Sequence, residues 1–270
     1  MIPAAAGRKG EPDLNDIAVQ FRHVSMAFPG VLANDDVSLD IRKGEVFALV
    51  GENGAGKSTL MNILYGIHTP TGGSVSIRGE EVSRFSPRNA IEHGVGMVHQ
   101  HFMLVPSFTV AQNIVMSREP RRFGIFFDQR AAERETRRLV EEYGLTVDPN
   151  AVVAETGVGL QQRVEILKTL YRGAEILILD EPTSFLDLPN RYELCTLLRR
   201  LAHDHRKCIL FSTHELDIAL SLCDSIALID PPVLRYLPTP DMACSGYIER
   251  LFSNSFVTFD TESGTIKVRK

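Results

Sequence analysis

The sequence predicts an α/β fold, a parallel sheet covered by helices and built round a phosphate-binding loop, with an antiparallel β-subdomain and a helical subdomain beside it. Three observations carry that prediction. The runs Val46-Phe47-Ala48-Leu49-Val50, Ile176-Leu177-Ile178-Leu179 and Cys208-Ile209-Leu210-Phe211 are apolar without alternation, the profile of strands covered on both faces. Helix-like stretches separate such runs, and strands alternating with helices make a parallel sheet whose ligand lies at its carboxyl edge. The segment Gly51-Glu52-Asn53-Gly54-Ala55-Gly56-Lys57-Ser58-Thr59 follows the first run and fills every fixed position of the pattern G-x-x-x-x-G-K-[ST].

The elements follow in order. Residues 1–16 hold Pro, Ala, Gly and mixed charge without an apolar core, so a flexible start and no signal peptide is expected. Ile17–Phe21, Val37–Ile41 and Ser74–Gly79 alternate and predict an antiparallel sheet flanking the core, with Arg42-Lys43-Gly44-Glu45 as a turn into the loop strand. Leu60 to Leu64 continues the loop as a helix, and Gly94–Val98 reads as a buried strand ending at His99-Gln100. From Ser107 to about Leu170 the pattern is mostly helical, with a start near Thr109 and Asp128 capping an Arg/Glu-rich helix through Tyr143; the helical subdomain is set at about 101–165. A helix over about Tyr192–Ala202 precedes the strand that begins at Cys208. The main domain is drawn at 17–230. Beyond it, 231–270 reads as an extension whose segments 256–259 and 265–268 form a hairpin round Glu262-Ser263-Gly264.

Composition bounds the function. A chain of 270 residues, 44% hydrophobic and 23% charged, buries a full core. A formal net charge of -5 argues against general nucleic-acid binding, which draws on clustered positive charge. The local exception is Arg118, Arg121, Arg122, Arg130, Arg134, Arg137 and Arg138, interleaved with Glu119, Glu133 and Glu135; on a helix such a mixture is a solvated face. Cys195, Cys208, Cys223 and Cys244 lack metal-type spacing and lie in or near apolar stretches, so buried thiols in a reducing compartment are expected. No apolar stretch is long enough to cross a bilayer, so a role at a membrane calls for another chain.

The phosphate loop supplies the first chemistry. Its glycines let backbone N–H groups wrap phosphates at the positive end of a helix, Lys57 reaches the β and γ phosphates, and the Ser58 hydroxyl joins the shell of a magnesium ion. Asp180 and Glu181 close an apolar strand at its carboxyl end, where one acid orders magnesium and the other polarises an attacking water. Gln100 is placed to reach the metal or the water, and His214, after Ser212-Thr213, to reach the γ-phosphate. His99 and His101 receive no chemistry. No Asn-Lys-x-Asp guanine-reading motif is found, which disfavours a GTPase.

At this point the residues resemble the ATP-binding subunits of ABC transporters, whose motifs occur here in family order over Phe21–Leu228. Gly51 to Thr59 resemble the Walker A loop, so that Gly51, Asn53, Gly54, Ala55, Gly56, Lys57, Ser58 and Thr59 are expected to touch ATP. Gln100 resembles the Q-loop glutamine, and Thr156-Gly157-Val158-Gly159-Leu160 the signature. Ile176 to Glu181 resemble the Walker B strand with its catalytic glutamate, Ser184 to Asp187 the D-loop, and His214 the switch histidine. The resemblance makes Ser58, Asp180 and Gln100 the magnesium-side residues, and Glu181, His214 and Gln100 the catalytic ones. Phe28 resembles the adenine-stacking aromatic; from position alone an ordinary core phenylalanine is the equal alternative.

The resemblance further implies an ABC-type P-loop NTPase fold, ATP and Mg2+, a homo- or heterodimer joined head to tail, an integral membrane permease as partner, and a place on the inner face of the cell membrane. In that dimer Gly157, Val158, Gly159 and Asp187 contact the other subunit's ATP. Gly157 stands where the family pattern has Ser, and Leu160 where it has Gln. The runs Gly159–Lys168 and Gly96–Pro106 resemble simple-sugar and nucleoside importers, which commonly carry two tandem domains where this chain has room for one. The carboxyl third, with Glu181–Asp187, Ser212–Leu216 and Ile248–Gly264, resembles iron-chelate importers. Two alternatives stand beside a transporter subunit: a non-transport ABC ATPase acting as a mechanical switch, and a catalytically weak partner in a heterodimer.

Overall fold

A computed structural model describes residues 16–231, 233–252, 257–260 and 265–268. Its frame is a six-stranded sheet in the order β12(Val233–Pro238), β11(Ser225–Asp230), β3(Val46–Gly51), β10(Cys208–Thr213), β9(Ile176–Leu179), β6(Val95–Val98). All but β12 run parallel. Within β3 the side chains of Val46, Ala48 and Val50 enter one core while Phe47 and Leu49 enter the other. The same split divides Ile176 and Ile178 from Leu177 and Leu179. With apolar layers on both faces, alternation has no use, which is why these strands read as unbroken apolar runs.

One face carries α1(Lys57–Leu64) and a four-stranded antiparallel sheet. That sheet has the order β2(Val31–Arg42), β1(Ile17–Phe28), β4(Gly72–Ile77), β5(Glu80–Glu81). After it the short α2(Pro87–Glu92) is capped by Ser86. The other face packs α3(Val110–Val115), α5(Val158–Tyr171), α6(Leu188–His203) and α7(Leu216–Leu222) into a second core.

Local signals set the helix ends. Thr109 and Gln112 form a reciprocal capping box for α3. The Asp128 carboxylate accepts the Ala131 N–H at 2.9 Å at the head of α4(Gln129–Glu142). Helix α6 begins at Leu188, four residues before the predicted start, because Asp187 caps it and Pro189 fits the first turn. The stretch expected to be mostly helical is interrupted by a hairpin, β7(Arg121–Arg122) with β8(Phe126–Phe127), and by loop from 144 to 157 holding one 3₁₀ turn at Val153–Glu155.

Strand β12 joins the central sheet through β11, so the boundary drawn at 230 falls between two hydrogen-bonded strands. Helices α8(Thr239–Cys244) and α9(Tyr247–Phe252) follow, and Met242, Ile248 and Phe259 enter the same core as α5 and α6. Strands β13(Val257–Asp260) and β14(Thr265–Val268) pair antiparallel; the turn expected round Glu262-Ser263-Gly264 lies outside the described residues, as do residues 1–15. Three thiols are buried, but Cys244, at the end of α8, is exposed, which corrects the expectation of four buried ones. No helix among the described residues is long and apolar enough to cross a membrane.

Candidate functional site

Parallel register brings the carboxyl ends of four strands level. Val98 pairs with Leu179, Leu179 with Phe211, and Thr213 with Val50. The residues just beyond, Gln100, Asp180, Glu181, His214 and the loop after Gly51, therefore meet at one edge of the sheet. Asn53, Gly54, Gly56, Lys57, Ser58, Thr59, Gln100 and Glu181 line a single open cavity of about 370 Å³.

The loop is held open by close approach. A Cβ on Gly51 would lie 2.7 Å from the Ile229 carbonyl oxygen, and one on Gly56 would lie 2.3 Å from that of Ala33. Gly56 is also left-handed, at φ 94°, so no L side chain fits there without displacement. Behind it the buried Asn34 donates Nδ2–H to the Gly56 carbonyl at 3.3 Å, while its Oδ1 has no partner. Ala55 is buried in the core on the α1 face.

The Lys57 ammonium donates to the carbonyls of Gly51 at 2.7 Å and Glu52 at 3.0 Å, and lies 3.5 Å from Glu181 Oε1. That oxygen is buried and accepts no hydrogen bond. Glu181 Oε2 is 2.8 Å from His214 Nδ1 and 3.4 Å from the Ser184 hydroxyl that donates to it. Glu181 has φ 45°, a left-handed angle that costs a non-glycine residue about 1 kcal/mol. Its N–H donates to Ser212 Oγ at 2.9 Å, which, with the lysine and histidine contacts, holds the strained residue in place.

Asp180 Oδ1 accepts from Ser58 Oγ at 3.1 Å and from Ser212 Oγ at 2.7 Å. Ser58 and Gln100 line the cavity and Asp180 lies against Ser58; together they offer hard oxygen donors, the chemistry magnesium takes while keeping waters and phosphate oxygens as its other ligands. Among the described residues no group of three or more His, Cys, Asp or Glu side chains forms a denser metal cluster. The glycine cradle suits a phosphate chain, and Glu181 Oε1, which accepts no hydrogen bond beside its Lys57 counter-charge, suits an attacking water.

Other singled-out residues stand apart from this cavity. Phe28, at the end of β1, is exposed and meets His68 edge-on, with ring centroids 5.4 Å apart; the ordinary-core alternative is excluded. Gly157 is the residue before α5, without a side-chain cap. Val158 is exposed, and Gly159 is buried against Asn190. Asp187 accepts from Asn190 N and Nδ2 at the head of α6. Gln161 Nε2 donates to the carbonyls of Val153 and Thr156, which holds the turn ahead of α5.

Sequence reasoning did not assign three supporting groups. Ser212, the next-to-last residue of β10, ties Asp180 to Glu181. Glu165 and Lys168, both buried on α5, grip one residue of the loop that carries Gln100. Glu165 Oε1 accepts the Met103 N–H at 2.6 Å, Lys168 donates to the Met103 carbonyl at 2.7 Å, and the two charges lie 3.5 Å apart. The signal was present in the sequence, since two charged residues within an apolar helix core require partners.

A family model described as ABC transporter matches residues 34–184. The guanosine import ATP-binding protein NupO of Bacillus subtilis (strain 168) is 47% identical over 214 residues, covering 79% of this chain and 42% of that protein. The ribose import ATP-binding protein RbsA 3 of Rubrobacter xylanophilus (strain DSM 9941) is 43% identical over 225 residues, 83% of this chain and 45% of that protein. The chain thus spans less than half the length of these curated relatives. Among solved structures, cbiO1 from Clostridium perfringens, part of the ABC transporter complex cbiONQ, superposes with a TM-score of 0.74 over 87% of this chain and 94% of that one, at 22% identity.

Proposed function

The chain belongs to the ABC transporter family, and on that premise we propose that it binds ATP with magnesium and hydrolyses it to drive a nucleoside or simple sugar through a separate membrane permease. The observation that carries this reading is the meeting of Lys57, Ser58, Asp180, Glu181 and His214 at one sheet edge. Loop amides and Lys57 bind the phosphates. Ser58, Asp180 and Gln100 would hold magnesium, which would supply positive charge to neutralise the phosphates. Glu181 accepts a proton from a water whose oxygen attacks the γ-phosphorus, and the bond to the ADP oxygen breaks. His214, on Glu181 Oε2, orients that carboxylate, and Phe28 presents an exposed ring to adenine.

The site is completed by a second ABC subunit. Gly157, Val158 and Gly159 do not line the cavity of their own chain, yet Gly157 and Val158 are exposed at a helix start, with Gly159 buried behind them, and such a start can point amides at phosphate. Head-to-tail pairing supplies that phosphate, with Asp187 nearby. The absent hydroxyl at Gly157 favours a second reading, a catalytically weak partner in a heterodimer, and turnover by the purified chain counts against it.

An apolar groove of about 450 Å³ lined by His101, Phe102, Leu104, Pro106, Val158 and Phe185 shares Gln100 with the nucleotide cavity. A permease segment seated there would move the residue that touches metal and water, and would hold the chain at the inner face of the membrane. For the solute, the relatives at 47% and 43% identity are named for guanosine and ribose import. An alignment over 79% of the chain reaches into the carboxyl third, so the nucleoside or sugar class is preferred there to the iron-chelate class.

Glu181→Gln tests the reading. ATP binding should be retained while hydrolysis falls about 10²- to 10⁴-fold, because an amide of the same size cannot take the proton. Parent-like turnover would remove Glu181 as the base. Stimulation of a reconstituted complex by a nucleoside, with none by a ferric chelate, would support the solute class.

A further inference from the structure

The hairpin between α3 and α4 has a task that neither the fold nor ATP chemistry gives it. Phe123, Ile125, Phe126 and Phe127 are 82%, 78%, 67% and 42% exposed. Four large apolar side chains within five residues at a convex tip are rarely left in water unless something covers them. The turn itself is costly. In the three-residue connection Phe123-Gly124-Ile125, Phe123 is left-handed at φ 52° and is followed by Gly124 at φ 74°; the left-handed angle costs a phenylalanine what it would not cost glycine. The base is fixed to the fold, since Tyr171 Oη donates to the Arg118 carbonyl at 2.9 Å and Arg172 donates to the Met116 carbonyl at 3.2 Å.

Charge points to the partner. From Ser117 to Arg138 seven arginines stand against four acidic side chains, in a chain whose formal net charge is -5. Arg137 and Arg138 pair with Glu133, Glu135 and Glu142 along α4, which is the solvated face expected of that helix. Arg121 and Arg122 are exposed on the hairpin, with Arg118 before it and Arg130 and Arg134 on the following helix also exposed, and the Arg122 guanidinium lies over the Phe123 ring, 5.3 Å from its centroid. An apolar convex tip collared by arginines matches the boundary between acyl chains and anionic headgroups. A protein partner would instead have to offer a groove.

We propose that the Phe123–Phe127 hairpin inserts into the surface of an anionic bilayer, anchoring this face of the chain to lipid directly. The contact requires neither nucleotide nor permease, so its failure is separable from failure of the ATPase reading. The test is flotation of the full chain, without ATP, on vesicles of phosphatidylcholine alone or with about 30% phosphatidylglycerol. The parent should float with the anionic vesicles and dissociate as salt rises. Phe123→Ser with Ile125→Ser should lower the bound fraction about tenfold with an unchanged melting temperature and ATP turnover, since both side chains are exposed. Arg121→Gln with Arg122→Gln should abolish the preference for anionic over neutral vesicles. Absence of parent binding, or serine-variant binding equal to the parent's, would overturn the proposal. So would a serine variant that binds vesicles normally but no longer assembles with the permease in detergent, which would make the tip a protein contact.

Discussion

Two helices in this molecule start directly after a glycine that provides no side-chain cap, and they do so for opposite reasons. Gly56 precedes α1 at φ 94°, with a backbone carbonyl 2.3 Å from where its Cβ would be. Gly157 precedes α5 at φ -70° and ψ 159°, in ordinary extended backbone, with nothing within 4 Å of a Cβ. The first glycine is imposed by space and by backbone angle, because the loop must bring its amides together inside one chain. The second is imposed by neither. The phosphate loop thus meets Asp180, Glu181 and His214 from its own sheet, whereas the start of α5 is, on the proposed reading, the part of the chain that serves the other subunit's site.

The sharpest way to break this contrast is Gly56→Ala. Strain at a left-handed angle and overlap with Ala33 together should cost about 3 kcal/mol or more, and should abolish ATP binding as the loop is displaced. Denaturant unfolding and a nucleotide titration read the two effects. Wild-type stability with normal ATP affinity would mean the cradle is looser than its distances state.

The two regions are joined by the buried pair on α5, and removing one half of it is the next largest effect. In Glu165→Ala the Met103 N–H loses its acceptor and Lys168 loses its counter-charge. Leaving a buried charge unpaired costs about 3 kcal/mol, and turnover should fall with the position of Gln100 while Gly56 and Lys57 still bind nucleotide. Burial lowers the Lys168 pKa from its ordinary value, and Glu165 partly restores it. Between that lowered value and the unfolded value the unfolded chain binds more protons, so stability rises with pH. Loss of Glu165 lowers the folded value further, so the variant should gain stability over a wider alkaline window than the parent. A parallel pair of stability–pH curves would deny Glu165 this role.

Much of this was legible in the sequence because it is local. The apolar runs of β3, β9 and β10 announce strands buried on both faces, and the loop pattern specifies its own geometry. Thr109 and Asp128 mark helix starts through caps that need only three residues of chain. What was not legible depends on tertiary pairing. Strand β12 is a short Pro-flanked segment whose strand character comes from β11 beside it. The Arg121–Phe127 hairpin turns on Phe-Gly where Asn-Gly would have signalled it, and its arginines read as part of the following helix. Ser212, Glu165 and Lys168 act across 31, 62 and 65 residues of chain, distances at which residue type alone names no partner.

The smallest expected effect, Gly157→Ser, sharpens the contrast most finely. The open space and the extended backbone at Gly157 mean that a Cβ there neither clashes nor forces an unfavourable angle. A serine hydroxyl at this position can accept an N–H of the first turn of α5 and still donate its own proton outward. The cap and the reduced freedom of the unfolded chain should together add somewhat under about 1 kcal/mol of stability. In the ATP-bound pair the outward proton adds one donor toward the other subunit's γ-phosphate, and turnover should rise by about tenfold, below the 10²-fold or more lost when a preorganised donor is removed from a site built round it. Steady-state hydrolysis against protein concentration separates the two gains, because only the second requires pairing. A variant that is more stable yet no faster, and no tighter as an ATP-bound dimer, would show that the start of α5 does not face nucleotide in trans. A slower variant with unchanged fold would show that the partner subunit, and not this chain, has adapted to the glycine.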